Sequence, residues 1–398
     1  MLFEAAQVIL QRFLSPLTLD EFLDRTLTHG AKSVPGTGAG LASNARTELL
    51  GADPQQRLLE AVHLAPKLTF HSANPLGPAP SLQAIRDSED YRERIELFHT
   101  RNFSVRFPEL RPLSPALDRI CRAIEILLHK PVTASAFWSR GGMRAPVHHD
   151  DHDLIVVQLR GTKRWYVANN PADLTNTWPN IPGGPPRLDA HTALDLRPGD
   201  LLFLPRGTLH TVDCETESLH ISIGFTPLTL REMLIAAIDH LSDLDRTLRT
   251  TVGGRLGFQL LSSQFEPLAP TVMDGLARVV SACRTPGFLS AALQRRSARA
   301  VAGLPPLTPP ETQPAMDLNT ELTQADTAFC HLTSSPQTID FAYPGGHLYI
   351  HSGAADSLLY MADTLKFRVR DIPGGIDDEV RLSLANSLVG LGYLRVSP

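Results

Sequence analysis

Residues Arg144–Gln158 read R-A-P-V-H-H-D-D-H-D-L-I-V-V-Q. The polar run His148–Asp153 passes straight into Leu154–Val157, an apolar run with the length and β-branched content of a buried strand. On an extended chain, residues i and i+2 project from one face. His148 and Asp150 can therefore offer an imidazole nitrogen and a carboxylate oxygen to one metal ion. His149 and Asp151 share that spacing, and periodicity does not choose between the two pairs. Six polar residues in a row also suit a solvated loop, but a second segment argues for a site. Residues Gly199–His210 read G-D-L-L-F-L-P-R-G-T-L-H: a turn, a buried strand Leu201–Leu204, a second turn at Pro205-Arg206-Gly207, then His210 on the next strand. His210 supplies a third ligand to either pair. Two histidines and a carboxylate on one face of a metal, with the other positions open, form the facial triad of non-heme iron chemistry.

From Val147 to Trp165 the chain reads V-H-H-D-D-H-D-L-I-V-V-Q-L-R-G-T-K-R-W. Aligned on Gln158, Gly161 and Trp165, this block resembles the JmjC-type Fe(II)/2-oxoglutarate oxygenases, in the cupin-like branch that holds the ribosomal-protein hydroxylases of bacteria and eukaryotes. The distal block Gly199–His210 matches the same branch. The resemblance implies Fe(II) as metal, 2-oxoglutarate as cosubstrate, and His148, Asp150 and His210 as the metal ligands and catalytic centre. It carries the family's cation, fifteen residues after the first histidine, onto Lys163. There an ammonium would take the distal carboxylate of 2-oxoglutarate, since either charge buried alone would be costly. Strand alternation agrees, with Lys163, Trp165 and Val167 on one face. Ser139 stands where bacterial relatives carry a serine near the cosubstrate. His220 lies ten residues past His210, at a position often polar and turned into the pocket, so both are further cofactor-binding candidates. His220 replaces an asparagine of the bacterial arginine hydroxylase. Ser135 stands where eukaryotic relatives have asparagine, and Phe137 is a further departure.

The fold class implied is α+β: a double-stranded β-helix (jelly-roll, cupin, JmjC) core with a helical dimerisation region and a winged-helix-like C-terminal domain. The expected division is 1–228 for the catalytic domain with its helical lead-in, 229–302 for the helical region, 303–315 for a proline-rich linker, and 316–398 for the last domain. Composition and local signals support it. Thr18 and Glu21 have capping-box spacing, and so do Thr229 and Glu232, the latter ahead of Leu234, Ile235, Ile238 and Leu241 at helical spacing. The barrel is expected over about Thr133–Pro227, interrupted by a long proline-bearing insertion at Asn169–Leu188. Loops of that length often serve function, which makes Arg187, Asp189 and His191 weak substrate-contact candidates. Gly303–Pro310 has linker composition. Strands are expected at Leu348–His351 and Phe367–Val369, followed by a helix over Asp377–Leu391 and a strand over Gly392–Val396.

The chain has 398 residues, 42% hydrophobic and 20% charged, with a net charge of −5. Length suggests two or three domains, and the acidic balance argues against bulk binding to nucleic acid. The last helix, with Asp377, Asp378 and Glu379 against Arg381, is a poor DNA reader. Four cysteines without a C-x-x-C spacing indicate neither structural zinc nor a disulfide framework. No signal peptide or membrane span is read, so a cytoplasmic protein without membrane contact is expected. The function that follows is hydroxylation of a side chain in a protein or peptide, a ribosomal protein or a precursor peptide, with release of succinate and CO2. The resemblance also implies a homodimer. The alternative is a non-oxygenase cupin, a metal-dependent small-molecule binder or sensor, for which a full triad together with Lys163 has no evident use.

Overall fold

The computed structural model describes residues 3–28, 31–34, 45–82, 85, 87–128, 130–169, 187–251, 269–325 and 328–397. The chain forms two compact units, residues 2–227 and 228–398.

The first unit opens with helices α1 (Phe3–Leu14) and α2 (Leu19–Thr28). The expected capping box is formed: Glu21 N donates to Thr18 Oγ1 at 3.1 Å, and Thr18 N to the Glu21 carboxylate at 2.9 Å. Strand β1 (Lys32–Val34), helix α3 (Pro54–Glu60), strand β2 (Thr69–His71), helix α4 (Ser88–Thr100), strand β3 (Ser104–Phe107) and helix α5 (Pro115–Leu128) complete the lead-in. The buried Arg46 ties it to the barrel, donating to the carbonyls of Phe13 at 2.8 Å and Gly199 at 3.1 Å.

The barrel strands are β4 (Thr133–Ser139), β5 (Met143–Arg144), β6 (Asp153–Arg160), β7 (Lys163–Ala168), β8 (His191–Leu196), β9 (Leu201–Leu204), β10 (His210–Cys214) and β11 (Ser218–Phe225). They form two antiparallel sheets, ordered β1-β9-β6-β11-β4-β3-β2 and β5-β10-β7-β8. Apart from β7 and β8, which pair in the smaller sheet, consecutive barrel strands alternate between sheets, as in a jelly roll. β6 is buried on both faces along nearly its whole length, as its continuous apolar run demands. Between the sheets Val156, Trp165, Leu202 and Val212 pack into one cluster. Residues 170–186 of the expected insertion lie outside the described residues.

The second unit contains helices α6 (Leu230–Leu244), α7 (Ala269–Cys283) and α8 (Phe288–Ala302), then β12 (Glu321–Gln324), β13 (His331–Ser334), β14 (Thr338–Tyr343), β15 (Gly346–His351), α9 (Ala355–Asp363), β16 (Lys366–Arg368), α10 (Asp378–Gly390) and β17 (Leu394–Val396). β13-β14-β15 form a meander, while β16-β12-β17 form a second small sheet. Two details depart from the sequence reading. The proline-rich segment is no open linker: Leu304 and Leu307 are buried, and Leu307 joins the core of this unit. On α6, Leu241 is buried beside Ala236 and Ala237, but Leu234, Ile235 and Ile238 are 40–51% exposed. The small alanines allow α8 to approach closely, so packing selects that face over the more apolar one.

Candidate metal and cosubstrate site

His148 and Asp150 do not lie on a regular strand, as the i, i+2 argument supposed. They sit in the segment between β5 and β6, and His148 is held by an isolated bridge to His210. The two exchange backbone hydrogen bonds of 3.0 and 2.8 Å. Two further contacts fix the ligand segment from the β9–β10 turn. Gly207 N donates to the Asp150 carbonyl at 2.8 Å, and Arg206 N to the buried Asp153 carboxylate at 2.9 Å. The motif P-R-G thus clamps the segment carrying the first two candidate ligands.

One ligand atom each from His148, Asp150 and His210 falls within 4.8 Å of the other two. His210 Nε2 is 3.7 Å from Asp150 Oδ2. Both histidines use Nδ1 for a carbonyl two residues back, Pro146 at 2.9 Å and Thr208 at 3.0 Å. A ring that donates from Nδ1 keeps its lone pair on Nε2, the tautomer a metal needs. Burial lowers the pKa of His210 to about 4, reinforced by His148 and opposed by Asp150, so its imidazole is neutral at pH 7. The donor set of two nitrogens and one oxygen fits Fe(II) with open positions. The other pair is not gathered in this way: Asp151 is exposed and takes His152 Nδ1 at 2.7 Å.

A cavity of about 410 Å³ opens onto these ligands. Lys163 lines it at 1% exposure. Its Nζ donates to Ser139 Oγ at 2.9 Å and lies 3.4 Å from His220 Nδ1. Ser139 in turn donates to Ser104 Oγ at 2.8 Å. Among the described residues no carboxylate pairs with Lys163, and burial lowers its pKa from 10.5 to about 8. A buried cation without an anion is a place where a ligand carboxylate gains most, so the cavity fits 2-oxoglutarate. His220 stacks on Phe137 at 5.0 Å, and burial holds its pKa well below the ordinary value.

The motif anchors have physical roles. Gln158 Nε2 donates to the carbonyls of Arg160 and Gly161 and to Ser218 Oγ, at 2.8, 3.2 and 2.8 Å, shaping the turn that delivers Lys163. Gly161 has φ +64°, and a Cβ there would meet the Glu217 carbonyl oxygen at 1.8 Å. Trp165 lies against the His210 ring at 5.6 Å. The cavity also takes His71, Arg106, Thr133, His152 and Ser222, which sequence reading did not single out; Ser135, noted there only as a departure, joins them. Arg187, Asp189 and His191 are not among the described residues lining it.

Residues 110–233 match the JmjC_2 family model, a JmjC domain. The chain is 28% identical to rat ribosomal oxygenase 2 over 155 residues, 38% of this chain and 31% of that one. It is 30% identical to the Drosophila willistoni bifunctional lysine-specific demethylase and histidyl-hydroxylase NO66 over 139 residues, 32% of this chain and 17% of that protein. The chain thus spans no more than about a third of the length of these curated relatives. Among solved structures, Escherichia coli ribosomal oxygenase YcfD aligns over 96% of this chain and 98% of its own, with TM-score 0.56 and 16% identity. The same protein in complex with cobalt and 2-oxoglutarate aligns with TM-score 0.55 and 15% identity, over 96% of this chain and 99% of that one. The fold and the metal site define a JmjC-domain protein of the cupin type. The JmjC domain spans residues 110–233, and over that region the chain is similar to the ribosomal oxygenases.

Proposed function

We propose that this chain is an Fe(II)- and 2-oxoglutarate-dependent dioxygenase that hydroxylates an amino-acid side chain of a protein or peptide and releases succinate and CO2. The observation that carries the reading is Lys163, a buried cation without a carboxylate partner among the described residues, opening into the same cavity as the triad. A binding-only cupin would need no such charge at that depth. Iron bound by His148, Asp150 and His210 would supply oxygen activation coupled to decarboxylation of 2-oxoglutarate. The residues of the chain do the rest. The Nδ1 hydrogen bonds keep both imidazoles oriented, Lys163 with Ser139 and His220 anchors the cosubstrate carboxylate, and Phe137 and Trp165 exclude water from between them.

The names of the relatives favour a ribosomal protein as substrate, with a precursor peptide compatible with the same chemistry. We further infer that the second unit dimerises through α6 and α7, whose Leu230, Leu234, Val272, Met273, Leu276 and Val280 are 47–76% exposed, and that its C-terminal part serves as a winged-helix-like cap. Among the described residues no helix is long and apolar enough to cross a membrane.

The test is anaerobic loading with Fe(II) and 2-oxoglutarate, followed by oxygen-dependent succinate formation, with Asp150→Ala alongside. The wild type turns over, stimulated by its substrate, and Asp150→Ala does not. Equal succinate from both would refute the site.

A further inference from the structure

We propose that Arg106 and Ser135 form a second acceptor-binding subsite in the cavity, which selects a substrate side chain bearing a carboxylate or carboxamide. The proposal rests on the hydroxylase reading above and names the substrate class of that site.

The register of the barrel lays out two polar zones. Across β4 and β11, Ser139 faces Ser218, Phe137 faces His220, Ser135 faces Ser222 and Thr133 faces Gly224. Lys163 occupies the Ser139 end. Phe137 and His220, stacked within 8° of parallel, then form a wall across the middle. Beyond the wall Arg106, opposite Phe137 on β3, donates from Nη2 to Ser135 Oγ at 2.9 Å. The cavity therefore contains two cations on either side of an aromatic pair, and a single cosubstrate needs one of them.

Arg106 is half-buried, and the Ser135 hydroxyl is its partner among the described residues. A guanidinium has five N–H donors in a planar fork, so most remain for a ligand. Carboxylates match that fork with two parallel hydrogen bonds, and a carboxamide oxygen matches part of it. Charge in the cavity points the same way. Asp150 is the one carboxylate among the described lining residues, and the metal claims it. An arginine or lysine side chain entering here would meet Arg106 with no free counter-charge among the described lining residues, and facing like charges repel. The reaction balances without further components. One oxygen atom of O2 enters a substrate C–H bond to give C–OH, and the other enters succinate. The electrons come two from that C–H bond and two from the loss of CO2.

The full chain, loaded with Mn(II) and 2-oxoglutarate without oxygen, is offered a position-scanning peptide library, and the retained peptides are read by mass spectrometry. Wild type enriches Asp, Glu, Asn and Gln over Lys and Arg at one position by roughly tenfold, which corresponds to about 1.4 kcal/mol. Arg106→Glu inverts the preference toward Lys and Arg, and Arg106→Gln abolishes the selection of acids. Ser135→Ala, which keeps the charge, reduces the selection, and stands in should the melting curve of Arg106→Glu show a folding defect. Retention of cationic peptides by wild type, absence of any selected position, or an identical profile in Arg106→Glu overturns the proposal. So does a loss of 2-oxoglutarate affinity in Arg106→Gln as large as in Lys163→Met, because Arg106 then belongs to the cosubstrate. The visible absorption of the anaerobic Fe(II)–2-oxoglutarate complex, recorded without peptide, reports the hydroxylase reading separately. Its absence sinks that reading, whereas its presence beside an unselective library sinks the subsite alone.

Discussion

In the barrel unit the side chains buried from solvent include Lys163, His210, His220, Asp153, Arg206 and Glu125, whereas in the unit beginning at Leu228 the buried polar side chains among the described residues are Gln324 and Ser357. That second core is made of groups such as Leu322, Phe341, Leu358, Val369 and Leu388. Burying apolar area stabilises by about 25 cal/mol per Å², and burying an unpaired ion does the reverse. The barrel unit accepts that cost at Lys163, since buried Asp153 is paired with Arg206 and buried Glu125 with Arg111 and Arg122, and it offsets the cost with the apolar cluster around Val156, Trp165, Leu202 and Val212. A charge retained at such cost marks a place reserved for a ligand. The second unit contains no buried charge of this kind among its described residues, so its buried side chains serve packing.

The largest effect that could break this contrast is loss of a metal ligand. Asp150→Ala or His210→Ala should reduce oxygen-dependent succinate formation by about 10³-fold or more, since metal-borne charge stabilisation is worth several kcal/mol. The apo protein should melt within a few degrees of wild type. Turnover preserved in both variants would show that the buried polar groups of the barrel are structural after all.

Leu322→Ala or Leu358→Ala is the counterpart in the second unit. Both residues are fully buried, and truncating such a leucine costs about 2–5 kcal/mol. Urea unfolding should register that loss while calorimetry finds the 2-oxoglutarate affinity unchanged. A parallel fall in affinity would mean that this core also shapes the cavity.

Lys163→Met sharpens the contrast because its two effects have opposite signs. Removing the unpaired ammonium should raise the melting temperature of the apo protein. It should also weaken 2-oxoglutarate binding roughly 10- to 100-fold, the value of a hydrogen bond to a charged group. The pH dependence follows from the same residue. Burial holds its pKa near 8 in the folded chain against 10.5 in the unfolded one. Between those values the unfolded state binds more protons, so apo stability rises with pH through that window and the penalty is fully present below about 8. Cosubstrate affinity should decline over the same rise, as the amine loses its charge. Both trends should vanish in Lys163→Met; persistence of either assigns the titration to another group.

His148, Asp150, His210 and Lys163 could be singled out because their motif blocks resemble a known family; spacing alone left His149 and Asp151 as an equal pair. Gln158, Gly161 and Pro205-Arg206-Gly207 are readable as letters, and each performs a fixed backbone task. Arg106 and His71 were not legible. They lie on short strands of ordinary alternation, S-V-R-F and T-F-H, and reach the cavity because β3 and β2 extend the large sheet beyond β4, an ordering that no local pattern encodes. The burial of Leu304 and Leu307 was hidden for a related reason. Proline-rich composition reports backbone stiffness, not whether the segment lies against a core. On α6 the apolar spacing is plain, but the neighbour, α8, decides which face is covered.

The smallest test uses the capping box of Thr18 and Glu21 in the first unit and that of Thr229 and Glu232 in the second. Thr18→Ala and Thr229→Ala each remove an oxygen that accepts an orphan backbone N–H, and each should cost about 1 kcal/mol. The boxes differ in one respect. Glu232 also lies 3.6 Å from Arg296 on α8, so in the second unit the cap is tied to tertiary packing. Glu232→Gln keeps a side-chain oxygen for the Thr229 N–H, since Gln serves a capping box as well as Glu, but it removes the ion pair. Because that pair is only partly shielded from water, the substitution should cost well under about 1 kcal/mol. Glu21→Gln, with the same cap chemistry, is the matched control. A loss at Glu232 several times that at Glu21 would show that the second unit, for all its apolar core, also depends on a specific charge to hold α6 against α8.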